Sequence, residues 1–502
     1  MQQVSAFFEK KAQSGWRIFF LAFFVHVLGL SSLPLIDRDE PRFAEAAREM
    51  DERGDWVIPW LNDQPRYDKP PLIYWLQIAC YRVFGETDLA ARLPSAMAGA
   101  ACAVLLAWFA RDYARATGLK ERAGEVGFWT ATVFTLCFQV LMHSKAAVAD
   151  MVMIFSVSLG IVAAWMMRAW WRKENGGAVW AIVFWLSMGL GFLAKGPIAW
   201  TPLVAFVGFG ILSKPTSARW VGTCLPGLAL MIGIMAAWGI PAQIQSLGDF
   251  WDVGIMRHVV ERGLVAQEGH GSKNAVEYVA LLPFYLVGFY LSFFPWSLQT
   301  PWLVRSIRGK SGVQHPVEDR VLLILVLIVF GIFTLYKTKL PHYTLPAFPA
   351  IAVLFACRWF REQRPLKPLR QARRTALIVL AVVTFGGWMA RPLFPTHQLA
   401  ENAREWLSPE MEAGAVDFRE PSVVWYFRAY IDGFVHNVNK DKAIEFMEKA
   451  GSRILVLTSE AEAELFPEIP PGWKRAESWG INFARGMKPT TLVVLGKPED
   501  VF

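Results

Sequence analysis

The chain has 502 residues, of which 54% are hydrophobic and only 19% are charged. A soluble globular protein carries about 25% charged residues, so this composition excludes an ordinary soluble domain and indicates a membrane protein. The net charge of +8 does not indicate nucleic-acid binding, because the Lys and Arg residues cluster in short loops between apolar segments.

Eleven apolar stretches are each about long enough to cross a bilayer, which takes roughly 20 residues. They lie near 17–35, 92–110, 124–142, 149–170, 178–194, 197–213, 221–241, 276–300, 321–336, 341–360 and 375–392. The first follows a basic segment and has no small-x-small cleavage site after it, so we expect a retained signal-anchor helix.

The basic loops of the chain follow the even-numbered stretches, and the longest of them is 358–374. The positive-inside rule therefore predicts that these loops and the N-terminus are cytoplasmic. On this topology the loops 36–70 and 242–275, the segment Lys337–His342 and everything after about Pro392 face the outer side of the membrane.

The most unusual segment is the loop directly behind the first apolar stretch. Between Ile36 and Pro70 it holds ten acidic and six basic residues. Ionisable groups this dense beside a bilayer are costly and are candidates for a functional site.

Two short helices are predicted in and after this loop. Asp39 and Glu40 precede Pro41, which suits a first helical turn, and the helix should end at Gly54. Phe43, Ala47 and Met50 give it one apolar face, so we expect it to lie on the membrane surface. A second interfacial helix should run from 70 to 84, too short to cross. These helices would present four charged candidates at the interface, namely Asp39, Glu40, Asp68 and Lys69.

The tail from about Pro395 reads as a small α/β domain. Strands are predicted at Ser422–Tyr430, Arg453–Thr458 and Thr490–Gly496, with a helix at Asp441–Ala450. The predicted fold class is therefore a polytopic α-helical membrane domain at 1–392, with about 11 transmembrane helices and two interfacial helices, followed by an external α/β domain at 393–502.

Six motifs carry a resemblance to a known family. They are DEPRFAEAAREM, GDWVIPWLNDQPRYDKPPLIYWL, ARLPSA, ADM at 149–151, GLGFLAKGP at 189–197 and KTKLPHYTLPAFPA at 337–350. In this order they resemble the lipid-A aminoarabinose transferases of the GT-C superfamily, which also contains the protein O-mannosyltransferases. The resemblance covers roughly 17–360. It implies a bacterial inner-membrane glycosyltransferase that moves a sugar from a polyprenyl-phosphate donor to a lipid acceptor on the outer face.

The acidic candidates follow from this resemblance and from the chemistry of transfer. A polyprenyl phosphate is already a stable leaving group, so the reaction needs a carboxylate that takes the proton of the acceptor. Asp39 stands at the Asp of the family's Asp-Glu motif and is the predicted base; the alternative is a helix N-cap. Asp150 matches a second acidic position of the family, and either Asp150 or Glu40 would take the base role if Asp39 does not.

The basic candidates would neutralise the donor phosphate. Lys69 belongs to the family's Lys-Pro-Pro motif, with an ordinary snorkelling lysine as the alternative. Lys337 and Lys339 either bind phosphate or anchor a helix end. Arg257 lies in the outer loop 242–275, which is a candidate lid or a solvated helix.

Four further residues are weaker candidates: Asp68, His258, His342 and Tyr343. Asp68 replaces the family's usual Glu, which puts its role in doubt. Asp68 with His258 or His270 could hold a divalent ion, but sequence spacing does not show that they meet, so no metal is predicted as required. The five cysteines lie in or beside apolar runs and are interpreted as buried hydrophobic residues.

Two other functions compete with this interpretation. One is a protein O-mannosyltransferase-like activity with a Ser or Thr acceptor. The other is a polyprenyl-phosphate binder or flippase that catalyses no reaction. Such a transporter would be expected to show repeat symmetry and charges inside several spans. The concentration of charge on one outer face favours an enzyme.

Overall fold

The computed structural model describes residues 14–174, 177–261 and 275–499. They form two compact units. The first unit takes Met1–Leu28, Tyr67–Ile73 and Leu93–Leu380, and the second takes Gly29–Arg66, Tyr74–Arg92 and Ala381–Phe502. Residues 29–66 and 74–92, which the sequence analysis grouped with the membrane domain, are thus packed together with the tail.

The α-helices are numbered in chain order. They are α1 (Gly15–Val27), α2 (Asp39–Arg53), α3 (Leu72–Phe84), α4 (Asp88–Ala116), α5 (Ala123–Thr135), α6 (Phe138–His143), α7 (Asp150–Met166), α8 (Arg168–Trp171), α9 (Val179–Lys195), α10 (Leu203–Ser213), α11 (Ser217–Gln245), α12 (Ala275–Leu281), α13 (Phe284–Ser292), α14 (Thr300–Ile307), α15 (Glu318–Leu335), α16 (Phe348–Arg361), α17 (Lys367–Ala390), α18 (Pro395–Ala403), α19 (Pro421–Phe427), α20 (Ala443–Glu448) and α21 (Ser459–Leu465). A π-helix runs over Phe250–Glu261, and a 3₁₀ segment, Pro341–Ala347, precedes α16.

The first unit is a bundle of apolar helices. Six helices among the described residues are long and apolar enough to cross a bilayer: Asp88–Ala116, Asp150–Trp171, Val179–Trp200, Ser217–Gln245, Pro341–Arg361 and Lys367–Leu393. A seventh span results if Val276–Ser292 and Trp296–Ile307, which are bent by 109°, are counted as one. The protein is therefore a polytopic α-helical membrane protein, while the predicted number of about 11 spans stays a prediction.

Several predicted stretches are broken or short in the structure. The first apolar stretch forms only the 13-residue α1, and the stretch 124–142 is divided into α5 and α6 at Leu136 and Cys137. Gly196, with a φ of 76°, ends α9 at Lys195. Such a backbone conformation favours glycine, because it has no Cβ. Cys102, Cys137 and Cys357 are buried and Cys80 and Cys224 are half-buried, all five as free thiols.

Helix α2 has the predicted extent, and Gly54 in the left-handed conformation ends it. Its predicted position on the membrane surface needs correction, because both faces of the helix are buried. Phe43, Ala47 and Met50 lie in the interior of the second unit, and so do Glu45 and Glu49.

Ion pairs with the tail explain how the charged face of α2 can be buried. Arg428 forms ion pairs with Glu45, Glu49 and Glu52, and Arg48 pairs with Glu45. Buried charges need such partners. The second predicted interfacial helix is α3, which buries Ile73, Tyr74 and Ile78 and exposes Val83 and Phe84.

The tail forms a five-stranded mixed sheet. Two short strands, β1 (Trp60–Leu61) and β2 (Gln64–Pro65), form a hairpin of their own. The strands of the sheet are β3 (Glu412–Ala415), β4 (Val435–Asn437), β5 (Arg453–Thr458), β6 (Lys474–Asn482) and β7 (Lys488–Lys497), in the order β4-β3-β5-β7-β6. Strand β3 pairs in parallel with β4 and β5, and β7 pairs antiparallel with β5 and β6.

The sheet has a hydrophobic cluster on each face. Ile454 and Val456 of β5 pack with α18 and α19, while Leu455 and Leu457 of the same strand pack with α20 and α21. This alternation is the period of two that a strand imposes. The predicted strands at 453–458 and 490–496 and the helix within 441–450 are confirmed, but the predicted strand at 422–430 is wrong, because Pro421–Phe427 is helix α19.

Candidate active site

Asp39 and Glu40 stand next to each other at the start of α2 in very different surroundings. Asp39 is exposed and makes no hydrogen bond or ion pair within the described part of the chain. The N-cap position belongs to Arg38, without a capping side-chain bond, so Asp39 is not the N-cap that the alternative interpretation required. A free carboxylate in the first turn of a helix is available to accept a proton from a substrate.

Glu40 is buried and held on both oxygens. The Arg92 guanidinium donates to it from Nε at 2.8 Å and from Nη2 at 2.7 Å, and the amide of Ile36 donates at 2.9 Å. Arg92 also donates to the carbonyls of Leu30, Leu33 and Pro34. This bidentate pair fixes the chain that leads into α2, so its geometry favours a positioning role for Glu40 over a base.

Asp37 is a carboxylate in the same segment that the sequence analysis did not single out. Its Oδ1 and Oδ2 accept hydrogen bonds from the amide and the hydroxyl of Ser422, at 3.0 and 2.5 Å. Burial raises the pKa of Asp37 to about 7, although the Ser422 hydrogen bonds oppose this effect. Nothing in the sequence marks this carboxylate, because its partner lies 385 residues away.

In the first unit, Asp150 begins α7 and is buried against the end of α9. Lys195 Nζ lies 2.6 Å from Asp150 Oδ1, and both side chains are largely buried. The electrostatic surroundings of Asp150 also include His143 and His342, whose ring centroids are 5.4 Å apart. The structure therefore brings together two predicted residues, Asp150 and His342, with His143 and with Lys195 of the GLGFLAKGP motif.

Tyr343 is buried next to this group. Its ring packs 5.2 Å from His342 and 5.0 Å from Phe333, centroid to centroid. His143 was missed as a candidate, since a single His at the end of an apolar stretch carries no spacing signal. Only the fold places it beside the 3₁₀ segment that contains His342.

Lys337 and Lys339 are only two residues apart but have opposite surroundings. Lys339 is buried, and its ammonium donates to three carbonyls at the end of α15, those of Phe333, Thr334 and Tyr336. Three donors are all that a lysine has, so Lys339 anchors a helix end and has none left for a phosphate. Lys337 is exposed and makes no contact of this kind among the described residues, which leaves its charge available.

Lys69 and Asp68 lie in the turn before α3. The Lys69 ammonium is 3.3 Å from Asp68 Oδ2 and donates to the Asp68 carbonyl at 3.1 Å. The π-helix passes close to the same turn at Gly254, where an added Cβ would lie 2.8 Å from the Tyr67 carbonyl. The described part of the loop 242–275 therefore lies close to the segment that carries Lys69, while its role as a lid stays a prediction.

The predicted lid residues Arg257 and His258 have side chains outside the described residues. Within the described part, no group of three or more His, Cys, Asp or Glu side chains is arranged to hold a metal ion. The structure therefore tests neither the role of Arg257 nor the pairing of Asp68 with His258.

The chain is similar to known glycosyltransferases along much of its length. The family model for dolichyl-phosphate-mannose-protein mannosyltransferase matches residues 16–244. The undecaprenyl phosphate-alpha-4-amino-4-deoxy-L-arabinose arabinosyl transferase of Aeromonas salmonicida is 28% identical over 342 residues, which is 68% of this chain and 58% of that protein. The transferase of the same name, numbered 2, from Sodalis glossinidius is 29% identical to this chain. The match covers 66% of this chain and 57% of that protein. The chain thus spans less than two thirds of these relatives.

A solved structure shares the fold. ArnT from Cupriavidus metallidurans, determined bound to undecaprenyl phosphate, superposes with a TM-score of 0.70 and 17% identity, over 95% of this chain and 97% of that one. The fold similarity thus extends through the tail domain, beyond the region where the six motifs lie. Together, these comparisons confirm the resemblance to the aminoarabinose transferases and show that the chain shares the fold of ArnT.

Proposed function

We propose that this protein is an integral-membrane glycosyltransferase that moves a sugar from a polyprenyl phosphate to a lipid acceptor on the outer face of the bacterial inner membrane. The observation that carries the proposal is Asp39, an exposed carboxylate without a partner among the described residues. It stands in the Asp-Glu motif on which the resemblance to the aminoarabinose transferases rests. Its neighbour Glu40 is fixed by Arg92, so the position of Asp39 is held by the fold.

In the proposed reaction, an acceptor oxygen attacks the anomeric carbon of the sugar. The bond between that carbon and the phosphate oxygen breaks, and polyprenyl phosphate leaves with the electron pair. Asp39 takes the proton of an acceptor hydroxyl, while Lys69 and Lys337 supply positive charge for the phosphate oxygens. Asp150 forms an ion pair with Lys195, so in this proposal it shapes the local electrostatics and positions Lys195 rather than acting as the base.

The names of the relatives support the sugar that is moved. They are arabinosyl transferases of undecaprenyl phosphate-aminoarabinose, which supports a pentosyl donor. The lipid A-like acceptor is the one that the family resemblance implies. A second candidate, transfer of mannose to a protein hydroxyl, is supported by the mannosyltransferase family model over residues 16–244. Both candidates use a polyprenyl phosphate donor and the same proposed base.

The test is transfer by the purified chain in liposomes. Each of two donors, undecaprenyl phosphate-aminoarabinose and polyprenyl phosphate-mannose, is paired with lipid A and with a Ser/Thr-rich peptide. Products are identified by mass spectrometry. Pentosylated lipid A supports the first candidate and mannosylated peptide the second. No transfer from either donor by a folded chain would contradict the proposed function.

A further inference from the structure

A polar cavity opens in the second unit, and two of the sequence motifs, those that begin at Asp39 and at Gly54, contribute to its lining. It has a volume of about 290 Å³ and is bounded by the start of α2, the β1–β2 hairpin and the sheet of the tail. This volume is at the lower end for small-molecule sites, and it accommodates an anionic group with a small polar substituent.

The cavity is strongly basic. Four arginines line it, Arg38, Arg42, Arg419 and Arg485, against one carboxylate, Glu420. Guanidinium groups match phosphate oxygens with paired hydrogen bonds, which is why they are preferred at phosphate sites. A concentration of four in one cavity is costly through their mutual repulsion unless an anion is bound.

Two of these arginines are held in place by the same carboxylate. Glu420 is buried; its Oε2 lies 3.2 Å from Arg38 Nε, and its Oε1 lies 3.2 Å from Arg485 Nε. Both contacts use only the Nε atoms. The terminal Nη groups of Arg38 and Arg485 make no hydrogen bond within the described residues. Each guanidinium is therefore held through Nε, and its Nη donors are available to a ligand.

The other two arginines also have unused donors. Arg419 donates through Nη2 to the Val438 carbonyl and to Asn439 Oδ1, which occupies one nitrogen of three. Arg42 acts electrostatically on Asp37 but makes no hydrogen bond or ion pair among the described residues. The cavity therefore offers more donors than the protein uses.

The fold places this cavity where open α/β sheets bind ligands. Strands β3 and β4 are parallel, and their last residues, Ala415 and Asn437, both line the cavity. Ligands of such sheets bind beyond the carboxyl ends of parallel strands. Arg419 and Glu420 follow β3 directly, so the sheet itself positions two of the charged groups.

We infer that this cavity binds a phosphate-class anion carried on a small polar group. The ligand is either the phosphorylated headgroup of a lipid or a free phosphate compound, which share the chemistry that four arginines recognise. The cavity borders the segment that carries Asp39, but none of its lining residues takes part in the proposed sugar transfer, so the inference goes beyond the proposed function.

The test measures binding without turnover. The full chain is purified in a maltoside detergent, which contains no phosphate, and titrated by calorimetry with inorganic phosphate and with glycerol 3-phosphate at constant ionic strength. We expect saturable binding that Arg485→Gln and Arg42→Gln each weaken about tenfold, as for the loss of one charge-assisted hydrogen bond. The second variant removes no ion pair of the described residues, so it remains informative if the first does not fold.

A matched control is Arg475→Gln. Arg475 also forms ion pairs in the second unit, with Glu462 and Glu477, but it does not line the cavity; its loss should change affinity less than twofold. Tighter binding of glycerol 3-phosphate than of phosphate supports an anion carried on a small polar group, whereas equal binding would overturn that part of the inference. The absence of saturable binding of either probe, or an equal loss in the control, would overturn the inference.

Discussion

At the scale of single residues, we expect the adjacent acids Asp39 and Glu40 to have different roles: Asp39 acts in catalysis and Glu40 stabilises the fold. Asp39→Asn keeps the shape of the side chain but removes the charge that a base needs. We expect transfer to fall by about 10² to 10⁴ while the thermal stability stays unchanged, since Asp39 is exposed and has no partner among the described residues. The measurement is the initial rate of transfer by the purified variant, together with its melting temperature.

Glu40→Gln is the matched control for this prediction. It leaves the buried Arg92 without its carboxylate, and breaking a buried ion pair on one side typically costs about 3 kcal/mol or more. We expect this variant to lose stability first, with activity falling as the folded fraction falls. Near-normal turnover of Asp39→Asn would instead move the base role to Asp150 or Glu40.

Lys69 is expected to contribute to donor binding through its charge. Lys69→Met keeps the apolar stem of the side chain but removes the ammonium. The affinity for the polyprenyl-phosphate donor should fall by about 1.5–3 kcal/mol, the contribution of a hydrogen bond to a charged group, with little change in acceptor affinity. Donor titrations in nanodiscs measure this difference, and unchanged donor affinity would make Lys69 a snorkelling anchor.

The raised pKa of Asp37 predicts that the stability of the protein depends on pH. Its pKa of about 7 is raised by burial from an ordinary value near 3.8. Between about pH 4 and 7 the folded chain therefore binds more protons than the unfolded chain, and its stability falls as the pH rises. The slope contributed by this group is at most about 1.4 kcal/mol per pH unit.

Asp37→Asn tests this prediction. We expect the variant to lose roughly half of the decline in melting temperature between pH 4 and 7, because its side chain does not titrate. A smaller slope should remain, since burial also raises the pKa of Glu49 to about 7. An identical pH profile in both proteins would show that the Asp37 carboxyl is solvated.

At the scale of elements, the end of α15 gives Lys337 and Lys339 different roles. Lys339→Met leaves three carbonyls without their donor and should destabilise the protein by about 1–3 kcal/mol. Lys337→Met should leave the melting temperature unchanged and weaken donor binding, because Lys337 is exposed and makes no such contact among the described residues. Thermal unfolding and donor titration of both variants distinguish the roles; the reverse pattern would contradict this assignment.

The elements also show what the sequence could and could not predict. Helix α2 was predictable, because Pro41 and Gly54 mark its ends. The segment 422–430 was not, since Val423, Val424 and Trp425 favour a strand by propensity, whereas Pro421 at the first turn and packing against α2 make it helical. Long-range packing overrode local preference at this segment.

The same limit applies to the candidate site. The motif residues Asp39, Asp150 and Lys69 could be chosen from the sequence, because they stand in short recognisable segments. The partners that decide their state could not, since Arg92 lies 52 residues from Glu40 and Lys195 lies 45 residues from Asp150. Residue spacing of this size carries no contact information without a fold.

At the scale of the whole molecule, the basic loops predict a cytoplasmic N-terminus and an external tail. Fusions of alkaline phosphatase after Arg391 should be active, and fusions after Arg374 should be inactive, because the apolar part of α17, residues 375–390, lies between these positions. Reporter activity in cells, normalised to the amount of fusion protein, measures this. Active fusions at 374 with inactive fusions at 391 would reverse the topology.

The second unit is assembled from three separate pieces of chain, the last of which begins at Ala381. In α2, the ribosome adds Glu45 to the chain 383 residues before the arginine that pairs with it, Arg428. At about 5–20 residues per second, the nascent helix waits on the order of 20–80 seconds for that partner. During this interval the charged and apolar faces of α2, which are both buried in the folded protein, are exposed. The nascent chain is therefore most accessible to chaperones and proteases before synthesis ends.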